Sequence, residues 1–218
     1  MKETGNPTTL LPNPRRPAVA GASADLPITI CGAGALGGNL IETLARMGCT
    51  RLTVIDRDRV EARNLSTQPY SRGEVGAPKA RTLGATLYRA VQARITTVVE
   101  ELGERNAGTL LAGSALVVDA FDNTAARAAV SATALRLSVP CLHVGFSPDG
   151  LYGSGVWEPG YRVPREHPGD PCDQPLTRPF ALVLSALTAR AITMALHDGI
   201  RENFEITWAD LRVSRESV

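Results

Sequence analysis

Leu26-Pro-Ile-Thr-Ile-Cys31-Gly32-Ala-Gly34-Ala-Leu-Gly37-Gly-Asn39 is the stretch whose reading decides the fold. A short apolar run ends in glycines at G-x-G-x-x-G spacing. Apolar residues then recur at Leu40, Ile41, Leu44 and Met47, one face of a helix over residues 39–47, and Gly48 stands where a C-cap glycine would close it. Strand, glycine turn and helix together suit phosphate binding: Gly32 and Gly34 let backbone amides approach an anion, Gly37 lets the helix pack on the strand, and the helix N-terminus faces the charge. A purely structural turn is the alternative reading. Leu52-Thr-Val-Ile-Asp56 follows as a second strand, and Asp56 falls near the offset of about 20 residues at which a carboxylate accepts hydrogen bonds from ribose hydroxyls. An ordinary strand-ending carboxylate is its other reading.

Outward from this unit the chain alternates. Residues 79–93 read as a helix, 95–99 as a β-branched strand, 107–113 as a short helix and 115–119 as an apolar strand covered on both faces. Residues 125–137 are Ala-rich and helical, and 140–145 return to strand. The end differs: 150–158 suit an antiparallel strand, 180–197 a long helix and 205–210 a final strand. The expected class is α/β, a Rossmann-like, mostly parallel sheet with helices on both faces and an antiparallel C-terminal extension. Residues 1–26, interrupted by Pro7, Pro12, Pro14 and Pro17 and without periodicity, read as a flexible Pro-rich arm, and 27–218 as one nucleotide-binding domain.

The 218 residues, 44% hydrophobic and 21% charged, suffice for one cored domain. A formal charge of +1 gives no bulk attraction to nucleic acid or an anionic membrane. No apolar run approaches the roughly 20 residues that span a bilayer and no signal-peptide core leads the chain, so the expected location is cytoplasmic. Cys31, Cys49, Cys141 and Cys172 form no C-x-x-C pair, which argues against disulfides and structural zinc.

The kind of nucleotide is decided after Asp56. Asp56-Arg-Asp58-Arg-Val60-Glu61-Ala-Arg-Asn64-Leu65-Ser-Thr-Gln68 is followed by Val75-Gly76-Ala-Pro-Lys79-Ala80 and then by Asp119-Ala-Phe-Asp122-Asn123. A dinucleotide reductase has no need of this set. An enzyme that brings ATP against a carboxylate must neutralise triphosphate charge and hold magnesium. Lys79 is a point charge for phosphate, Asp122 a magnesium ligand and Asn64 a donor to a phosphate oxygen. Each has a plainer alternative: Lys79 a solvated helix-start residue, Asp119 or Asp122 a helix N-cap, Asn64 a turn residue.

These segments, in this order and at these separations, resemble the ThiF/MoeB-type adenylyltransferases, the superfamily that includes ubiquitin-activating enzymes. The resemblance runs from Ile28 to Asn123 and more loosely to Asp210. It implies a dimeric Rossmann-like domain that binds ATP with Mg2+ and adenylates the C-terminal glycine carboxylate of a small ubiquitin-like sulfur carrier or modifier ending in Gly-Gly, releasing pyrophosphate. It assigns Gly32, Gly34 and Gly37 to the phosphate loop, Asp56 to ribose, Asp58 to the nucleotide-binding set, Asn64, Gln68 and Lys79 to phosphates, and Asp122 to magnesium. Asn64, Lys79, Asp122 and Cys172 are the catalytic candidates, Cys172 because related enzymes that pass the acyl group to sulfur carry a crossover-loop thiol near this place. A protein of this descent that binds a nucleotide or partner without adenylating, and an NAD(P)-dependent oxidoreductase, are the competing readings.

Departures from the pattern are equally informative. Thr67 stands where the family usually has an arginine before Gln68, with Arg63 or Arg72 as possible substitutes. The family's arginine from the partner's N-terminus has only Arg15 and Arg16 as counterparts, and the paired zinc cysteines are missing. Asp170 and Asp173 would raise the Cys172 thiol. The other cysteines suit core filling, and His143 suits a structural role with an approach to the site as its alternative. Trp157, Tyr152 and Tyr161 are candidates either for lining a groove or for packing.

Overall fold

The computed structural model describes residues 25–147, 149–165 and 177–218. The order is β1 (Ile28–Cys31), α1 (Ala35–Arg46), β2 (Leu52–Ile55), α2 (Lys79–Val91), β3 (Thr96–Val98), α3 (Ala107–Leu111), β4 (Leu116–Asp119), α4 (Thr124–Leu137), β5 (Cys141–Phe146), β6 (Tyr152–Trp157), α5 (Arg178–His197), β7 (Glu202–Thr207) and β8 (Val213–Ser217). Among the described residues the strands form one sheet, β3-β2-β1-β4-β5-β6-β7-β8. The first five are parallel and β6, β7 and β8 add on antiparallel. This is the expected architecture.

Alternation along the strands divides the core. Ile28, Ile30, Val54, Val118 and Val144 face one side, where α1 (Leu40, Ile41, Leu44), α2 (Leu83, Leu87) and α5 (Leu184, Ile192) cover them. Val117 and Cys141 face the other, under α3 (Leu111) and α4 (Ala129, Val130). Each fully buried Leu, Ile or Val side chain contributes about 1.5–3 kcal/mol, which is why short strands suffice. Among the described residues one helix, α5, is long and apolar enough to cross a membrane by length and composition, contrary to the reading that no apolar run approaches that length. It packs on α1 instead, and Ser185 Oγ donates to Leu36 O at 3.1 Å.

Two readings of element bounds are corrected as well. The first helix starts at Ala35 rather than residue 39, because Gly37 and Gly38 belong to its buried first turns. The final strand lies over 202–207 rather than 205–210, and β8 follows it unforeseen. β8 is a nearly exposed edge strand held by backbone pairing to β7, so its sequence carries no apolar alternation.

Candidate functional site

In this sheet α1 leaves β1 toward one face and α4 leaves β4 toward the other, opening a crevice at the carboxyl edge between adjacent strands. The glycine turn floors it. Gly32 has φ +101°, and a Cβ there would lie 2.9 Å from Ala120 O; a Cβ on Gly37 would lie 2.0 Å from Gly32 O. Only glycine lets the β4–α4 loop and the start of α1 approach the turn this closely. Gly34 is the N-cap of α1 and among the described residues no side chain caps that helix, an arrangement that suits an anion.

Asp56 lies beside this turn. Its Oδ2 accepts from Ala33 N at 2.6 Å and its Oδ1 from Asp58 N at 2.7 Å, so it ties the glycine turn to the end of β2. Burial raises its carboxyl above the ordinary value, against the lowering pull of those two amides and of the Lys79 charge.

Lys79 reaches the site because two distant segments pair through their backbones. Val60 N donates to Ala77 O, Gly76 N to Val60 O and Lys79 N to Asp58 O, at 2.8–2.9 Å. The pairing sets Lys79 Nζ 3.4 Å from Asp58 Oδ2. Lys79 is 7% exposed, which corrects its reading as a solvated helix-start residue. A buried ammonium beside a half-exposed carboxylate is a cation able to pair with a ligand's negative charge.

Asn64 and Gln68 sit in a short 3-10 segment and the turn after it. Asn64 is buried and its Oδ1 accepts from Glu61 N at 2.9 Å, so in this structure it performs the turn role. Gln68 is 5% exposed, and among the described residues its buried Oε1 has no hydrogen-bond partner. Thr67 is wholly buried, and its carbonyl accepts from Asn39 Nδ2 at 3.2 Å. Of the substitutes considered for an arginine at 67, Arg63 is exposed and paired with Glu61 at 2.6 Å, and Arg72 is exposed in a second 3-10 turn. The arginine at this turn is Arg178, whose Nη1 lies 3.5 Å from Gln68 O. No local pattern marks it, since it arrives with the first turn of α5 from the far end of the chain.

Asp119 and Asp122 divide their roles. Asp122 is exposed on the loop that walls the glycine turn. Neither aspartate caps α4: Asn123 does, its Oδ1 accepting from Ala126 N at 2.8 Å. Asp119 is fully buried, with Oδ1 accepting from Phe121 N at 3.1 Å and Oδ2 lying 2.8 Å from His143 Nδ1. Among the described residues no three His, Cys, Asp or Glu side chains gather as a metal cage. A magnesium ion held by Asp122, phosphate oxygens and water needs none.

Cys31, Cys49 and Cys141 are free and buried, and burial raises each thiol, consistent with core filling. Trp157 is wholly buried and lines no groove, while Tyr161 stacks on His143. Cys172, Arg15, Arg16 and almost all of the 1–26 arm lie outside the described residues.

A model of the ThiF family matches residues 23–157, more than half of the chain. The chain belongs to the ThiF family. It is similar to the sulfur carrier protein adenylyltransferase of Thermus thermophilus, 35% identical over 52% of this chain and 42% of that one. The solved structure of E. coli MccB superposes with a TM-score of 0.72 over 89% of this chain and 62% of that one; at 16% identity this likeness concerns the fold. E. coli tRNA N6-threonylcarbamoyladenosine dehydratase, solved in complex with ATP, is 28% identical with a TM-score of 0.55, over 60% of this chain and 57% of that one. The chain spans 29–49% of the length of the first curated relatives it matches.

Proposed function

We propose that this ThiF-family chain binds MgATP in the β1/β4 crevice and adenylates a carboxylate, the C-terminal glycine of a small ubiquitin-like carrier ending in Gly-Gly. The carboxylate oxygen bonds to the α-phosphorus, the bond from that phosphorus to the bridging oxygen of the leaving group breaks, and pyrophosphate departs. Asp56 accepts from the ribose hydroxyls. The amides at the start of α1 take phosphate oxygens, and Lys79 exchanges Asp58 for phosphate charge. Asp122 is the carboxylate that would hold magnesium, which supplies charge neutralisation on the triphosphate. Gln68 and Asn64 border the phosphates, and Arg178 is the guanidinium that compensates for Thr67.

One observation carries the reading: the buried Asp56 carboxylate, bonded to the glycine turn just before α1, feels the charge of the buried Lys79 ammonium, although separate segments supply them. An ATP relative of 28% identity and a carrier-activating relative of 35% support the substrate pair. Pyrophosphate–ATP exchange, dependent on a carrier ending in Gly-Gly, tests it. Asp122→Ala should cut exchange by about a hundredfold or more. Full exchange by that variant removes Asp122 from its role, and NAD(P) binding without ATP binding returns the oxidoreductase reading. The chain is also proposed to act as a homodimer in which Arg15 or Arg16 reaches the partner's site.

A further inference from the structure

Next to the crevice, under α4, lies a polar cluster that the proposed chemistry does not use. Its members come from four places: Asp119 at the end of β4, Arg127 and Ser131 on α4, His143 on β5, and Glu158 with Tyr161 on the segment after β6. Asp119 and His143 are cross-strand neighbours in the β4–β5 register. His143 Nδ1 lies 2.8 Å from Asp119 Oδ2; its Nε2 lies 3.1 Å from Glu158 Oε1, at ion-pair distance but off hydrogen-bond alignment. Ser131 Oγ donates to the same Glu158 oxygen. Tyr161 stacks flat on the imidazole, centroids 3.7 Å apart. Arg127 closes the cluster, donating to Val144 O at 2.7 Å and to Tyr161 Oη at 3.0 Å, with Asp119 Oδ2 3.6 Å away.

Burying two carboxylates and a guanidinium is costly wherever one is left unpaired, so such a cluster persists only with good pairing. Its output is local. Asp119 holds Phe121 N with its other oxygen, Ala120 O touches the glycine turn, and Asp122 comes next before Asn123 caps α4. The Asp119 carboxylate thus links His143 to the backbone of the loop that carries Asp122.

We infer that His143 is a positioning residue for metal-assisted nucleotide binding: its Nδ1–H orients Asp119 so that the 120–122 loop presents Asp122 to the Mg2+ of the triphosphate. This inference rests on the nucleotide reading above. The two ring nitrogens can be tested separately, because an asparagine amide stands in for Nδ1 and a glutamine amide for Nε2.

The experiment is calorimetric titration of ATP, with excess Mg2+ and with EDTA, into the wild type, His143→Asn, His143→Gln and Asp122→Asn, beside melting temperatures. In the wild type Mg2+ should tighten ATP binding about tenfold. His143→Asn should keep most of that gain. His143→Gln and Asp122→Asn should lose it to within about twofold, while the binding of His143→Gln in EDTA stays close to wild type. If His143→Gln does not fold, Arg127→Lys replaces it, since an ammonium keeps the charge but cannot bridge Val144 O and Tyr161 Oη, and the same loss is expected. A His143→Gln, or its replacement, with the full Mg2+ gain overturns the inference. So do Asn and Gln variants that lose the gain equally, in proportion to their melting temperatures, since that is a structural role. A wild type that binds no MgATP overturns the nucleotide reading itself, and the inference with it; the other outcomes leave that reading standing.

Discussion

Thr67 shows how burial alters the meaning of a single letter. A wholly buried hydroxyl side chain at this position leaves no room for a guanidinium, so Thr67→Arg should destabilise the fold by about 3 kcal/mol or more through overpacking and a buried unpaired charge, visible in urea unfolding. Arg178→Ala should instead leave the midpoint near wild type and lower pyrophosphate exchange by about tenfold, because a charge-assisted contact to phosphate is worth about 1.5–3 kcal/mol. Exchange unaffected by Arg178→Ala would end its candidacy. Asp56 carries a pH signature. Its carboxyl, buried and raised above 3.8, holds a proton more tightly folded than unfolded, so its stabilising contribution is full below 3.8 and is lost as pH rises through the raised value. The melting-temperature difference between wild type and Asp56→Asn should therefore shrink with rising pH across that window. ATP affinity should change the opposite way, falling as acid removes the acceptor charge from the ribose contact.

At the scale of elements, α4 is the one whose start serves both stability and the site. Asn123 caps it immediately after Asp122, and the residue three positions before Asp122 is buried in the His143 cluster. Asn123→Ala should cost about 1 kcal/mol and lower the melting temperature by about 2–4 °C, measurable by calorimetry. Element types were legible from periodicity almost throughout the described chain. The helix start at Ala35 was not, because Gly37 and Gly38 carry no helical propensity and are helical only through close packing, Gly37 against Gly32 O and Gly38 against Pro69. β8 was not, because an exposed edge strand needs hydrogen bonds from its neighbour and no apolar face.

For the whole molecule, the expected oligomer is a dimer, and light scattering at micromolar concentration should give about twice the 23.1 kDa of one chain; a monomeric mass would refute it. Deleting residues 1–24 should leave the melting temperature and ATP binding of each site unchanged, since every described site residue lies between Gly32 and Arg178, while a loss confined to pyrophosphate exchange would assign the arm its cross-dimer role. Local chemistry determined much of this protein. Apolar alternation, the glycine spacing and the acidic and basic motifs around Asp56, Lys79 and Asp122 specify a doubly wound nucleotide fold, because their physics acts within one strand, turn or helix. What tertiary structure alone decided is which groups meet. The backbone pairing of 58–60 with 76–79 buries Lys79 beside Asp58, α5 brings Arg178 to the Gln68 carbonyl, and three other segments close around His143. Those contacts depend on the sheet order and on the faces that the helices cover, and no single strand, turn or helix contains the residues on both sides of them.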